Sequence, residues 1–150
     1  MSFFELFEAS NFQPILYQNK KIQLSDDLPW PTNKKIKLNI ESAKSEWEQG
    51  IIFNSKGAHF KFNDSRESLN SLLIWQTEVP IENNIIIVKP GKRVLKVWNM
   101  WRIDGGPTSY GHNGAAIHIE EIKGGRRYYC NDGYPDDDFD DLVFSIFWSV

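Results

Sequence analysis

The sequence predicts an all-β fold, an antiparallel β-sandwich preceded by a short N-terminal extension with a brief helix. Three observations carry this. Apolar and polar residues alternate with period two in the most readable segments, turn residues separate those segments, and helical spacing persists only in short pieces. The aromatic share of 14%, with ten Phe, six Trp and five Tyr, favours strands. It also supplies more large rings than one small core usually absorbs, so some should serve a surface.

In chain order, residues 3–9 have helical spacing, and the two prolines of Leu28-Pro29-Trp30-Pro31 interrupt both helix and sheet. Residues 1–33 are therefore expected to form an extension packed on a sandwich domain of residues 34–150. Ile36, Leu38 and Ile40 alternate with Lys35, Lys37 and Asn39, as a half-buried strand requires. Part of 41–47 has helical spacing. Ile51-Ile52-Phe53 reads as a strand, and Ala58, Phe60 and Phe62 alternate with His59 and Lys61. Segments 71–79, 84–89, 93–103, 115–122, 126–130 and 142–149 are rich in β-branched and aromatic residues. Lys89-Pro90-Gly91-Lys92 and Lys123-Gly124-Gly125 each lie between two such runs and predict hairpins. Residues 104–114, with four glycines and a proline, predict a long surface loop.

One chain of 150 residues, 41% apolar and 25% charged, can bury a single core, which argues against a disordered tail or a multidomain enzyme. The net charge of -3 is unevenly placed. Asp132, Asp136, Asp137, Asp138, Asp140 and Asp141 fall in one ten-residue window without Lys or Arg. Without them, fourteen acidic residues face seventeen basic ones, and the rest of the chain carries about +3. The lone Cys130 has no partner for an internal disulfide and no zinc-like spacing with histidine.

Crowding so many carboxylates into one turn costs Coulomb repulsion that a positive charge should offset. A hard divalent cation suits the pattern, since calcium takes six to eight oxygen ligands from irregular loops. Asp136, Asp138 and Asp140 recur at every second residue, and Phe139 among them reads as an apolar anchor. The loop is not an EF-hand: counting from Asp136, the sixth position is Asp141 and the twelfth Phe147, where that motif needs Gly and Glu. Two readings stand, a calcium site holding one or two ions and a solvated acidic turn.

Asp132-Gly133, followed by the run from Asp136 through Asp141 and then Leu142-Val143-Phe144-Ser145-Ile146-Phe147-Trp148, resembles the C-terminal loop and last strand of the bacterial calcium-mediated lectins. Asn54-Ser55-Lys56-Gly57 is similar to a second loop of that family, although the same tetrapeptide also serves as an ordinary hairpin turn. The resemblance implies a sandwich that pairs as a homodimer and binds fucose or mannose through two adjacent calcium ions. It implies Asn54, Asp132, Asp136, Asp138, Asp140 and Asp141 as metal ligands, with Ser55, Lys56, Gly57 and Asp137 bordering the sugar. Where the family has Asn, this chain has Asp140. The alternative is a non-catalytic interaction or structural domain whose acidic loop, with or without calcium, serves stability.

Enzymatic signatures are missing. The sequence has no Gly-x-Ser-x-Gly elbow, no His-Glu-x-x-His and no phosphate-binding glycine loop after a strand. Glu120 and Glu121 are adjacent, so a strand would aim them to opposite faces rather than across a glycosidic bond. Lys34, Lys35 and Lys37 make only a short basic stretch in an acidic chain, which argues against nucleic acid as a partner. No apolar run is long enough to span a membrane. The N-terminus lacks the basic and apolar regions of an export signal, so a cytoplasmic location is expected, or release by a non-classical route.

Overall fold

In the computed structural model, which describes residues 2–134 and 138–148, the period-two segments become strands of two facing antiparallel sheets. The elements are α1 (Phe3–Ala9), β1 (Ile15–Tyr17), β2 (Lys20–Gln23), β3 (Asp26–Leu28), β4 (Lys35–Ser42), β5 (Glu48–Asn54) and β6 (His59–Phe62), followed by β7 (Ser71–Trp75), β8 (Glu82–Lys89), β9 (Leu95–Arg102), β10 (Ala116–Ile122), β11 (Gly125–Asn131) and β12 (Leu142–Phe147). The larger sheet has the order β1-β2-β10-β11-β12-β4-β8-β6 and the smaller one β3-β9-β5-β7. The fold is the expected all-β sandwich. None of the described helices is long and apolar enough to cross a membrane.

Alternation explains the core. Ile36, Leu38 and Ile40 of β4 point inward with Phe144 and Ile146 of β12, against Ile51 and Phe53 of β5 and Leu95 and Val97 of β9. Each such buried side chain contributes roughly 1.5–3 kcal/mol. Tyr128 and Phe144 stack with ring centroids 4.6 Å apart, which fills the middle of the larger sheet's inner face. The outer face of the smaller sheet has its own apolar cluster, Ile52, Trp75 and Met100, around Gly50. A Cβ on Gly50 would lie 2.5 Å from Met100 Cε, 2.8 Å from the Ile74 carbonyl and 2.9 Å from Trp75 Cε3. The methionine can yield, but the backbone carbonyl cannot, so Gly50→Ala should cost about 1–3 kcal/mol as a lower urea midpoint.

Three sequence expectations change. The stretch 2–33, expected as an extension packed on the domain, contributes strands to both sheets: β2 pairs with β10, and β3 pairs with β9. The strands there are only three or four residues long and carry little alternation. The two turns at 54–57 and 89–92 do not close hairpins, because β5 and β9 lie in one sheet while β6 and β8 lie in the other. They are neighbouring crossovers at one pole of the sandwich, joined by Lys92 N–H to Lys56 O at 3.1 Å and by Ser55 Oγ to Arg93 O at 3.1 Å. Helical spacing in 41–47 gives way to strand β4 through Ser42 and then an irregular turn. There Ser45 Oγ accepts the Trp47 N–H at 3.1 Å, a local bond that competes with a helix. The helix at 3–9 forms as expected, capped by Ser2 and burying Phe3 and Phe7 on one face.

Candidate ligand-binding site

β11 carries Asn131 and Asp132 into the interior, and the chain then leaves the sheet before re-entering at β12. The first fixed point of the loop is Asn131. Its carbonyl accepts from Asn99 Nδ2 at 2.8 Å, and its side-chain oxygen accepts the Phe139 N–H at 2.7 Å. Phe139 sits at φ 55°, a left-handed conformation unusual for an aromatic residue. Its ring is buried with Phe3, Phe7, Ile22 and Ala116, so the anchor expected from the sequence is present.

Asp132 is the second fixed point and is fully buried. Its Oδ2 accepts from Ser45 Oγ at 2.6 Å and Gln49 Nε2 at 3.0 Å, and its Oδ1 accepts the Tyr134 N–H at 2.9 Å. Its own N–H donates to Asp141 Oδ2 at 2.9 Å. A buried carboxylate met by three donors organises the backbone around it. Gly133 passes so close to Trp101 that a Cβ would lie 2.7 Å from Cζ2, which explains glycine after Asp132.

Above this floor opens a cleft of about 520 Å³, lined by residues 44–47 on one side and by Asp132, Tyr134, Asp138, Asp140 and Asp141 on the other. Asp138 is exposed and Asp140 half-buried. Lys44 Nζ stands 3.9 Å from Asp140 Oδ2, so part of the offsetting positive charge comes from the turn after β4. The half-buried Trp47 and the exposed Tyr134 meet edge to face, with centroids 6.2 Å apart and planes at 78°. Trp47, Lys44, Ser45 and Gln49 had no mark in the sequence as site residues. The only available signal was the loss of alternation after Ser42.

The structure thus brings Asp132, Asp138, Asp140 and Asp141 to one cleft. Asp136 and Asp137 lie outside the described residues. Asn54, Ser55, Lys56 and Gly57 are not at this site. Gln49, at the cleft end of β5, and Asn54, at its other end, are five residues apart, about 17 Å along a strand. Ser55 and Gly57 serve the crossover pole, where Gly57 adopts φ 81°. Among the described residues, no group of three or more His, Cys, Asp or Glu is arranged to hold a metal ion. The oxygens of Asp132 itself already face protein donors.

Other aromatic residues and the lone thiol are dispersed. Trp101 is buried against His112, with centroids 5.3 Å apart, and Trp98 meets the exposed Tyr110 at 6.0 Å, remote in sequence from the acidic loop. Cys130 is fully buried; burial, followed by the charge of Asp141, pushes its thiol well above the usual range. A thiol so held is a packing group and not a ligand or nucleophile. Comparison with family models, with curated proteins and with solved structures gives no match to this chain.

Proposed function

We propose that this protein is a non-catalytic carbohydrate-binding domain that takes a sugar in the cleft between Trp47 and the acidic loop. The observation that carries the reading is the placement of an aromatic pair, Trp47 and Tyr134, beside the carboxylates of Asp138 and Asp140. A sugar ring has an apolar C–H face and a rim of hydroxyls. Aromatic faces match the first, and carboxylates accept charge-assisted hydrogen bonds from the second. Calcium fits as a further part of the proposal through Asp138 and Asp140, the cleft carboxylates with the greatest exposure, because sugar hydroxyls can complete a shell that protein ligands leave open.

The test is calorimetric titration of calcium into chelator-treated protein, followed by a monosaccharide panel with and without the ion. Trp47→Ala and Tyr134→Ala should each weaken the best sugar about ten-fold, a loss of about 1.4 kcal/mol, while leaving the melting temperature nearly unchanged. No response to any sugar in either condition would reject the reading. A structural role for the loop is favoured specifically for Asp132 and Asp141, whose carboxylates bond inward. If the whole loop serves only the fold, Asp138→Ala with Asp140→Ala should leave calcium and sugar responses unaltered.

A further inference from the structure

We propose that the N-terminal helix sets the position of the Asp138–Asp140 wall of the cleft, with Phe3 acting as a positioning residue through Phe139. The cleft's importance rests on the ligand-binding reading above; the mechanical coupling does not. Phe139 separates Asp138 from Asp140, two residues of the cleft wall, so the seat of its ring fixes where both carboxylates stand.

That seat is built largely from the N-terminal part of the chain. Phe3 packs on the Phe139 ring at 5.8 Å and is itself held edge-on by Tyr17 at 4.9 Å. Phe7 is fully buried in the same cluster, with Ile22 of β2 and Ala116 of β10. Lys20 Nζ lies 5.8 Å from the centre of the Phe139 ring. The Phe4 N–H donates to Asn113 O at 2.9 Å and ties the helix to the long loop before β10.

Neither partner is stable alone. A seven-residue helix is far below the length at which helices persist in water, so α1 depends on the burial of Phe3 and Phe7. Phe139 depends on the same burial, since a left-handed backbone at an aromatic residue persists only where its surroundings enforce it. Removing the Phe3 ring takes away the aromatic partner packed on Phe139 and opens a gap in the cluster shared with Phe7, Ile22 and Ala116, which loosens the backbone at Phe139 beside its remaining bond to Asn131. The helix and the cleft wall then open together, so anything that displaces α1 also disables the site.

Phe3→Ala is the test, with Phe3→Leu as the variant that refills the space. Amide hydrogen exchange of the 150-residue chain should quicken at Phe139 about ten-fold more than along β5, and Phe3→Leu should return most of the difference. Equal changes at Phe139 and β5 would mean uniform destabilisation and would overturn the proposal. Where the wild type binds fucose or mannose in the presence of calcium, Phe3→Ala should weaken that affinity about ten-fold, and unchanged affinity also overturns it. Failure of the wild type to bind either sugar counts against the sugar reading alone, and the exchange comparison then decides the coupling.

Discussion

Asp26→Ala is expected to lose about 3–5 kcal/mol of stability, the largest effect of any substitution proposed for this protein. Asp26 is 5% exposed and sits on β3 in the smaller sheet, yet its partners are on β11 in the larger one. Its Oδ2 accepts from the Tyr128 hydroxyl at 2.5 Å, and both its oxygens accept from Arg126 Nη1, at 2.8 and 3.0 Å. Tyr128 is fully buried. Burial first, then the charge of Asp26 and the hydrogen bond to it, push the phenol above its usual range and favour the neutral donor.

Alanine would strand that hydroxyl and leave the half-buried Arg126 guanidinium with the exposed carboxylate of Glu121, 2.8 Å from its Nε, in place of a buried one, and both costs fall on the junction of the two sheets. At about 2–4 °C per kcal/mol for a domain of this size, the melting temperature should fall by roughly 10 °C. Tyr128→Phe, which removes one donor and leaves the ion pair, should cost only about 1 kcal/mol. An Asp26→Ala protein with a urea midpoint close to that of Tyr128→Phe would show that the sheets are not joined through this carboxylate.

Asp26 also marks what the sequence could not disclose. Period-two runs such as Ile36, Leu38 and Ile40 announce their strand because the signal is local, and Phe3 and Phe7 announce one face of a helix for the same reason. Asp26-Asp27-Leu28 is a strand with a buried acid inside it, and the residues that make this tolerable come 100 positions later. The mistaken hairpin at 89–92, and the crossover made by the turn at 54–57, have a similar cause. Turn chemistry at Asn54-Ser55-Lys56-Gly57 is the same whether the next strand pairs with the last one or crosses to the other sheet, and only the non-local pairing decides. At the cleft, the acidic cluster and its Phe139 anchor were legible. Ser45 and Gln49 were not, because they reach Asp132 across 87 and 83 residues. Asn54 was placed by resemblance, and the direction of β5 puts it at the opposite pole.

The acidic residues of the cleft are expected to separate into two kinds under substitution. Asp132→Ala should cost about 3 kcal/mol in chelator and without ligand, since it leaves the Gln49 amide and the Ser45 hydroxyl facing an empty, fully buried space. The same change frees the Tyr134 N–H, so the Tyr134 ring should leave its edge-to-face contact with Trp47 and alter the tryptophan's fluorescence. Asp138→Ala, at an exposed position, should stay within about 0.5 kcal/mol of the wild type in the same buffer, because the relief of carboxylate crowding offsets whatever small contact is lost. Asp132→Asn should fall between them. It keeps the shape and one acceptor, but when its amide group faces Gln49 Nε2, two donors oppose each other. Urea midpoints for the three variants decide the matter. If Asp132→Ala is as mild as Asp138→Ala, the inward bonds do not hold the floor of the cleft. If Asp138→Ala is as severe as Asp132→Ala, the exposed carboxylates belong to the fold, and the site has lost the groups proposed to meet a ligand.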